Sequence, residues 1–302
     1  MNVNLAASVR QRLLNRARAE RRPFDELLQY YTLERFLYRL GHSPYSRQFV
    51  LKGALLFWAW QAPLARPTRD IDLLGRTDNN VEHIEGIMGA ICQEPVPEAD
   101  GLCFAADSVS GERILAAADY AGVRVYLWAT LGTARIRLHI DIGFDDVLVP
   151  GPQPVRLPTL LDFPAPAVQG YSRESVIAEK YQSLVHLGIL NSRMKEFYDL
   201  WLLATHFAFD SALLGRAIEE TFAHRQTALP ELPVAFTPAF FGNREKQAQW
   251  QAFCRRHPVV TFPHLEALVG VLAGFLLPVT RALLRGQPGA QCWLPGGPWQ
   301  TA

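Results

Sequence analysis

The sequence predicts an α+β fold, in which a mixed β-sheet core with flanking helices precedes an α-helical C-terminal half. Three observations support this class: helical spacing near the N-terminus, strongly alternating apolar residues between residues 49 and 144, and helical spacing again from residue 173 onward. The 302 residues, 49% of them hydrophobic, suffice to bury a sizeable core. We expect two domains, at residues 1–158 and 159–302.

The N-terminal region is helical and rich in arginine. Helical spacing covers residues 5–20 and 24–40, and the segment "PFDEL" places a proline and acidic residues at the start of the second helix. Residues 1–41 contain eight Arg and four acidic residues, which predicts a local basic surface although the whole chain has a net charge of +1.

The N-terminus and the cysteines indicate a cytoplasmic location. Arginines stand where an export signal needs a long apolar centre. The four cysteines are scattered without the paired spacing of a zinc site or a disulfide framework, which favours reduced thiols.

The middle of the chain alternates between strand and helix patterns. The segment "FVLKGALLFWAW" predicts a short strand end, a glycine turn and an apolar helix, and "RDIDLL" predicts the next strand. Residues 80–93 have helical spacing. The runs "VRVYLWAT" and "ARIRLHIDIGF" alternate strongly and are joined by "LGT", which predicts a β-hairpin.

The C-terminal half is predicted to be helical after an extended, proline-rich connector at residues 150–171. Helical spacing covers residues 173–188, 193–208, 210–224, 244–256 and 263–285. In the last segment Glu266 and Arg281 leave 14 uncharged residues between them, and Pro278 interrupts these. A membrane span needs about 20. We therefore expect a buried helix and no membrane association, followed by an irregular tail.

Two aspartates lie at alternate positions of the predicted strand in "RPTRDIDLLG". Successive strand side chains point to opposite faces, so Asp70 and Asp72 share one face while Ile71 and Leu73 share the other. Two unit charges about 4 Å apart repel by roughly 4 kcal/mol at an effective dielectric of about 20. A divalent cation between the two carboxylates would remove this repulsion.

A third carboxylate lies on the polar face of "ARIRLHIDIGF". The apolar residues of this run occupy one face, so Asp141 lies on the other, with Arg135, Arg137 and His139. If this strand neighbours that of Asp70 and Asp72, three carboxylates converge and suit Mg²⁺, which prefers oxygen ligands. Taken alone, these residues also fit ordinary polar-face aspartates.

Three residues before the Asp70 strand are candidates for phosphate binding. Gly53 and Ala54 open the apolar helix after "FVLK", where unpaired backbone N–H groups can hold phosphate. Arg66 can pair with phosphate or with local acidic residues. A simple helix-start turn is the alternative role for Gly53.

The helical half carries two charged residues on apolar surfaces. Lys180 falls within the apolar arc of "SVIAEKYQSLVHL", where it needs either an anionic partner or a path to water. Asp199 is the one charge between Phe197 and Thr205 and needs compensation if buried. It can pair with Lys180 or Arg193, or interact with a substrate hydroxyl.

Five motifs taken together resemble the AbiEii/AbiGii nucleotidyltransferase toxin family, which includes the MenT toxins. They are "FVLKGALLFWAW", "RPTRDIDLLG", "LHIDIGFDD", "ESVIAEKYQSLVHL" and "NSRMKEFYDLWLL", between residues 45 and 208. The family is similar to DNA polymerase β-type nucleotidyltransferases. The resemblance implies a nucleotidyltransferase-like sheet domain and a helical domain that closes the active-site cleft.

The resemblance also implies a reaction. Members of the family transfer NMP from an NTP to the 3′ acceptor end of tRNA or another RNA, and a cognate antitoxin neutralises them. In this chain Asp70, Asp72 and Asp141 would bind Mg²⁺ or Mn²⁺, and Asp141 would help to activate the attacking hydroxyl. The sequence thus implies an NTP:RNA nucleotidyltransferase.

The remaining site residues follow from the same resemblance. Gly53, Ala54 and Arg66 would contact the NTP phosphates, as would Lys180, and Asp199 matches the aspartate of a YDL-type motif. The family's turn often carries Gly, Ser or Thr where this chain has Ala54, which removes a hydroxyl that could bind phosphate.

Two other functions are compatible with the sequence. A DxD motif also occurs in glycosyltransferases that hold a nucleotide-sugar through a metal. A catalytically silent nucleotidyltransferase-fold protein that acts by binding a partner would fit Ala54.

Overall fold

The computed structural model describes residues 3–62, 68–115, 121–257, 262–287 and 289–301. The chain divides into two compact units. Unit 1 comprises Met1–Gln61, Pro67–Asp146 and Pro152–Tyr171, and unit 2 is built mainly from Ser172–Ala302 with Val147–Gly151. The predicted α+β class, with a mixed sheet followed by a helical region, is confirmed.

Unit 1 is a mixed sheet with helices packed against it. Its helices are α1 (Val3–Glu20), α2 (Phe24–His42), α3 (Leu55–Ala59) and α4 (Val81–Gln93). Its strands are β1 (Phe49–Lys52), β2 (Asp70–Gly75), β3 (Leu102–Leu115), β4 (Ala121–Leu131), β5 (Ala134–Phe144), β6 (Gln153–Arg156) and β7 (Ala167–Gly170). Among the described residues these form a seven-stranded sheet in the order β3-β4-β5-β2-β1-β7-β6.

Strand β5 lies between β4 and β2 and carries one of the three candidate carboxylates, Asp141. It runs antiparallel to β4, as the predicted hairpin requires, and parallel to β2. Ile136, Leu138, Ile140 and Ile142 are buried, and the residues between them are half-buried or exposed. The predicted alternation of β5 is confirmed, and its polar residues share one face.

Strand β3 is a 14-residue strand that the sequence analysis did not predict. Its pairing with β4 shifts register between Ala105 and Ser110. The shift breaks the two-residue period that marks a strand, and Asp107, Ser108 and Gly111 dilute the apolar signal. Helix α4 packs on this strand, so tertiary contacts stabilise what local sequence leaves ambiguous.

The proline-rich segment at residues 150–171 was predicted to be an extended connector, but it also contributes two strands to the sheet. It contains β6 and β7, which pair antiparallel, and β7 continues the sheet by pairing parallel to β1. Pro154 lies in β6, the edge strand of the sheet. Proline is tolerated there because an edge strand has one side without hydrogen-bonding partners.

Most of the N-terminal arginines are neutralised within unit 1. At least five of the eight form ion pairs with carboxylates: Arg12, Arg16, Arg22, Arg35 and Arg39. The pair between Arg39 and Asp100 is buried and bidentate, at 2.7 and 3.1 Å. The basic surface expected from residue counts is therefore much reduced.

Unit 2 is helical and has an aromatic core. Its helices are α5 (Arg173–Leu187), α6 (Met194–His206), α7 (Ser211–His224), α8 (Pro238–Phe241), α9 (Arg244–Arg255) and α10 (Leu265–Leu284). Tyr198, Phe253 and Phe262 pack with Trp250 at ring-centroid distances of 5.1–5.8 Å. These rings hold α6 and α9 together.

The C-terminal tail is ordered into a small sheet, contrary to the predicted irregular tail. In the described part of the tail, β9 (Gln291–Trp293) pairs with β10 (Trp299–Thr301) and with the short β8 (Phe209–Asp210). Trp293 Nε1 donates to the Ala204 carbonyl at 2.6 Å, and Trp299 Nε1 donates to the Phe275 carbonyl at 2.8 Å. Long-range packing of two tryptophans, which local sequence does not encode, orders this segment.

Helix α10 has one buried side. Within the described ranges it is the one helix long and apolar enough to cross a membrane by length and composition, with a mean hydropathy of 2.0 over its most apolar window. Leu268, Leu272, Phe275 and Leu276 are fully buried in unit 2, where α10 packs on α6 and α7. The predicted burial of this helix is therefore seen on the side that faces its neighbours.

We expect Asp100→Ala to lower the free energy of unfolding by about 3–5 kcal/mol, because it leaves the buried Arg39 guanidinium without its partner. Asp162→Ala is the matched control, since Asp162 is fully exposed in its pair with Arg12 and should change stability by less than about 1 kcal/mol. Urea denaturation measures both. Equal losses in the two variants would contradict this account.

Candidate active site

The three predicted metal-binding carboxylates lie on one face of the unit 1 sheet. Asp70 and Asp72 are half-buried and alternate with the buried Ile71 on β2. Asp72 is the register partner of Asp141 on the neighbouring parallel strand β5. Register partners share a face, and neighbouring strands lie about 4.8 Å apart. The structure therefore brings together the acidic side chains that the sequence identified.

Asp141 is held by a dense set of hydrogen bonds. Arg124, its register partner on β4, donates to Oδ1 and Oδ2 at 2.8 and 2.9 Å. His139 Nε2 lies 2.8 Å from Oδ1 of Asp141, and its Nδ1 lies 3.0 Å from Oδ1 of Asp70. Burial alone would raise the pKa of Asp141, but the hydrogen bond from Arg124 and the charges of His139 and Arg124 hold it below its usual value.

Arg124 and His139 are residues whose roles the sequence analysis missed. The sequence pattern places His139 on the polar face but indicates no function for it, and Arg124 lies in the other strand of the hairpin. The signal was available in principle, because hairpin pairing from the "LGT" turn puts Arg124 opposite Asp141.

Oxygen donors of this kind suit Mg²⁺ or Mn²⁺. Within the described ranges, no group of three His, Cys, Asp or Glu side chains has a metal-site arrangement. Three of the roughly four lone-pair positions of Asp141 lie within hydrogen-bond distance of Arg124 and His139. Asp141 therefore has about one position left for a cation, and Asp70 and Asp72 on the same face supply further carboxylate oxygens of the kind that Mg²⁺ prefers.

The absence of a side chain at Gly53 leaves room for the Asp72 carboxylate. The backbone at Gly53 has a φ of +74°, which side-chain-bearing residues rarely adopt, and a Cβ there would lie 2.0 Å from Asp72 Oδ2. Helix α3 after it has five residues, and its Leu56 and Phe57 N–H groups donate to the carbonyls of Gly53 and Ala54. The direct role of Gly53 is therefore steric. The predicted phosphate contact of Gly53 and Ala54 stays a prediction.

Lys52 is a further charged residue of the same row that the sequence analysis did not single out. It is the register partner of Asp72 on β1, and its Nζ donates to Asp146 Oδ2 at 2.8 Å. Gly143 makes room for it, because a Cβ there would lie 2.9 Å from Nζ. Lys52, Asp72, Asp141 and Arg124 thus form a row of cations and carboxylates across four strands. Arg66, the remaining predicted phosphate ligand, lies outside the described residues.

In unit 2, Lys180 on α5 and Asp199 on α6 form an ion pair of 2.9 Å. The Asp199 side chain is 2% exposed and that of Lys180 is 16% exposed. Arg193, the alternative partner considered for Asp199, instead pairs with Glu196 at 3.3 Å. The structure thus brings Lys180 and Asp199 together as partners.

We expect Asp199→Ala to lower the free energy of unfolding by about 3 kcal/mol, because it leaves the Lys180 ammonium largely buried without its carboxylate. The double variant Lys180→Met, Asp199→Leu should recover most of this loss, since apolar side chains of similar volume often replace a buried pair at little cost. Chemical denaturation checks both. A double variant less stable than Asp199→Ala would show that the pair is needed for packing.

A known protein family matches most of the chain. Residues 35–270 match the family model described as nucleotidyl transferase AbiEii toxin, type IV TA system. A candidate nucleotidyltransferase from H. pylori is similar in structure with a TM-score of 0.48 and 13% identity, over 84% of this chain and 94% of that one. JHP933 from Helicobacter pylori gives a TM-score of 0.46 and 14% identity, over 83% and 90% of the two chains.

No curated protein matches the sequence. The family match covers well over half of the chain and includes all the motifs on which the resemblance was based. The chain is a member of the AbiEii nucleotidyltransferase toxin family.

Proposed function

We propose that this protein transfers NMP from an NTP to the 3′ acceptor end of tRNA or a similar RNA, in a reaction that depends on Mg²⁺ or Mn²⁺. The observation that carries the proposal is the row in which Asp72 and Asp141 are register partners, with Asp70 on the same face. Paired carboxylates on a mixed sheet, in a nucleotidyltransferase family, fit metal-assisted phosphoryl chemistry.

The reaction is an in-line displacement. The RNA 3′-oxygen forms a bond to the α-phosphorus of the NTP, and the bond from that phosphorus to the bridging oxygen breaks. Pyrophosphate leaves with the electron pair, and the hydroxyl proton is released to water. A divalent cation held by Asp70 and Asp72 would supply charge neutralisation of the phosphates. Asp141, kept anionic by Arg124, accepts a hydrogen bond from the attacking hydroxyl and orients it.

Lys180 is a proposed contact of the NTP phosphates, as the family resemblance implies. Asp199 holds the Lys180 ammonium at 2.9 Å, so it positions the charge that the phosphates bind. A lysine is a compact cation with three donors, which suits this role. Modification of tRNA acceptor ends would block translation, and the family's type IV toxin–antitoxin description supports a cognate antitoxin as the partner. We place this reaction in the cytoplasm.

We expect Asp72→Asn to lower metal-dependent transfer of labelled NMP to RNA by more than about 100-fold, the upper range for loss of a group that only orients a metal ligand. Asp107→Asn is the control, because Asp107 is an exposed aspartate of β3 outside the carboxylate row. The measurement is transfer of label from each of the four NTPs to total tRNA, with Mg²⁺, with Mn²⁺ and with chelator.

The outcomes separate the candidate functions. Equal activity of Asp72→Asn and Asp107→Asn would refute the proposed metal site. Consumption of nucleotide-sugars but not of NTPs by the wild-type protein would favour a glycosyltransferase. Binding of NTP or RNA without any transfer would favour a catalytically silent protein.

A further inference from the structure

The polar face of β4 and β5 continues beyond the carboxylates as a surface of aromatic and basic side chains. We call Tyr126, Trp128, Arg135 and Arg137 the β4–β5 platform. Its residues are in register with the site: Tyr126 pairs with His139, Trp128 pairs with Arg137, and Asp141 lies two residues beyond His139 on the same face. The platform and the carboxylates therefore form one continuous surface of unit 1.

The platform side chains are stacked on one another. The Arg137 guanidinium lies 4.0 Å from the Tyr126 ring centroid, and that of Arg135 lies 4.6 Å from the Trp128 ring. Tyr126 stacks on His139 at 5.1 Å with an interplanar angle of 29°. Cation–π contacts of this kind hold the guanidinium groups over the aromatic rings.

The platform arginines are available for a ligand. Both are exposed, and neither has a carboxylate within ion-pair distance among the residues that the structure describes. This distinguishes them from the N-terminal arginines, most of which are paired. They line a cavity of about 440 Å³ together with Arg69, Asp70, Tyr126 and His139. The cavity therefore joins unpaired positive charge to one carboxylate of the site.

We propose that the β4–β5 platform binds the unpaired 3′-terminal nucleotides of the RNA acceptor and leads its 3′-hydroxyl to the carboxylate row. Proteins recognise unpaired RNA by stacking bases on aromatic rings and guanidinium planes, while basic side chains bind the phosphates. Tyr126 and Trp128 supply rings, and Arg135 and Arg137 supply planes and charge. This inference rests on the proposed function and assigns the acceptor strand to particular residues.

The distance from the far end of the platform to the carboxylate row favours a strand over a single nucleotide. Arg135 and Asp141 are six residues apart on β5, or about 20 Å at about 3.3 Å per residue. One NTP cannot span this distance. A duplex keeps its bases stacked inside and offers none to the rings. The occupant that uses both the rings and the length is an unpaired RNA strand.

The test compares two double variants that each remove two positive charges. The platform variant is Arg135→Ala, Arg137→Ala, and the control is Arg76→Ala, Arg113→Ala. Arg76 and Arg113 are exposed residues of the same unit. Arg113 is the register partner of Val123, so it lies on the sheet face opposite the platform. Binding of a fluorescent RNA duplex with an unpaired 3′ overhang, and of its blunt counterpart, is measured by anisotropy over a salt series. Transfer kinetics with both RNAs are measured in parallel.

We expect the platform variant to bind overhang RNA at least tenfold more weakly and to raise the KM for that RNA, with the KM for NTP unchanged. Loss of two single-strand phosphate contacts should reduce the salt slope by about 1.4. Trp128→Ala should weaken overhang binding and leave the salt slope unchanged, because it removes stacking and no charge. The control should behave as wild type.

Binding and transfer separate failure of the platform from failure of the proposed function. If wild type transfers NMP to overhang RNA and the platform variant matches the control, the platform is refuted and the function stands. If wild type transfers to no RNA, but overhang binding is lost in the platform variant alone, the platform stands and the reaction is refuted. A raised KM for NTP, or equal loss of blunt-duplex binding, overturns the platform.

Discussion

The register of β5 against its two neighbours is the constraint on which the rest of the site depends. Parallel pairing with β2 sets Asp72 opposite Asp141, and antiparallel pairing with β4 sets Arg124 opposite the same residue. A slip of one residue would move every polar side chain of β5 into the core and every isoleucine into water. Burial of Ile136, Leu138, Ile140 and Ile142 therefore fixes the positions of the charges on the other face.

Much of the fold and part of the site follow from the sequence, for reasons that particular residues make clear. The two-residue period of β5 predicted its polar face correctly because local alternation is sufficient evidence for a half-buried strand. The partners of Asp141 were not predicted, because they depend on which strands become neighbours. Strand β3 and the tail around Trp293 were missed for the same reason: long-range packing orders them where local pattern is weak.

The arginines show why counting charges predicts surfaces poorly. The excess near the N-terminus is largely consumed by pairs such as Arg39 with Asp100, because a buried guanidinium must be compensated. Arg135 and Arg137 belong to a short run with no marked excess of charge, yet they remain exposed beside aromatic rings. A basic residue can bind a polyanion only if the fold does not already pair it with a carboxylate. Composition alone does not show which residues are paired.

Groups of the protein itself reduce the repulsion between the aspartates. Arg124 neutralises Asp141, His139 bridges Asp141 and Asp70, and Lys52 lies opposite Asp72. The carboxylate row can therefore form with the fold, unlike small zinc domains that are unfolded without their metal. A preformed row costs no reorganisation when substrate binds, which is the condition under which fixed charges contribute most to a transition state. The same bonds restrict Asp141, which is why we propose that it orients the attacking hydroxyl and that Asp70 and Asp72 bind the cation.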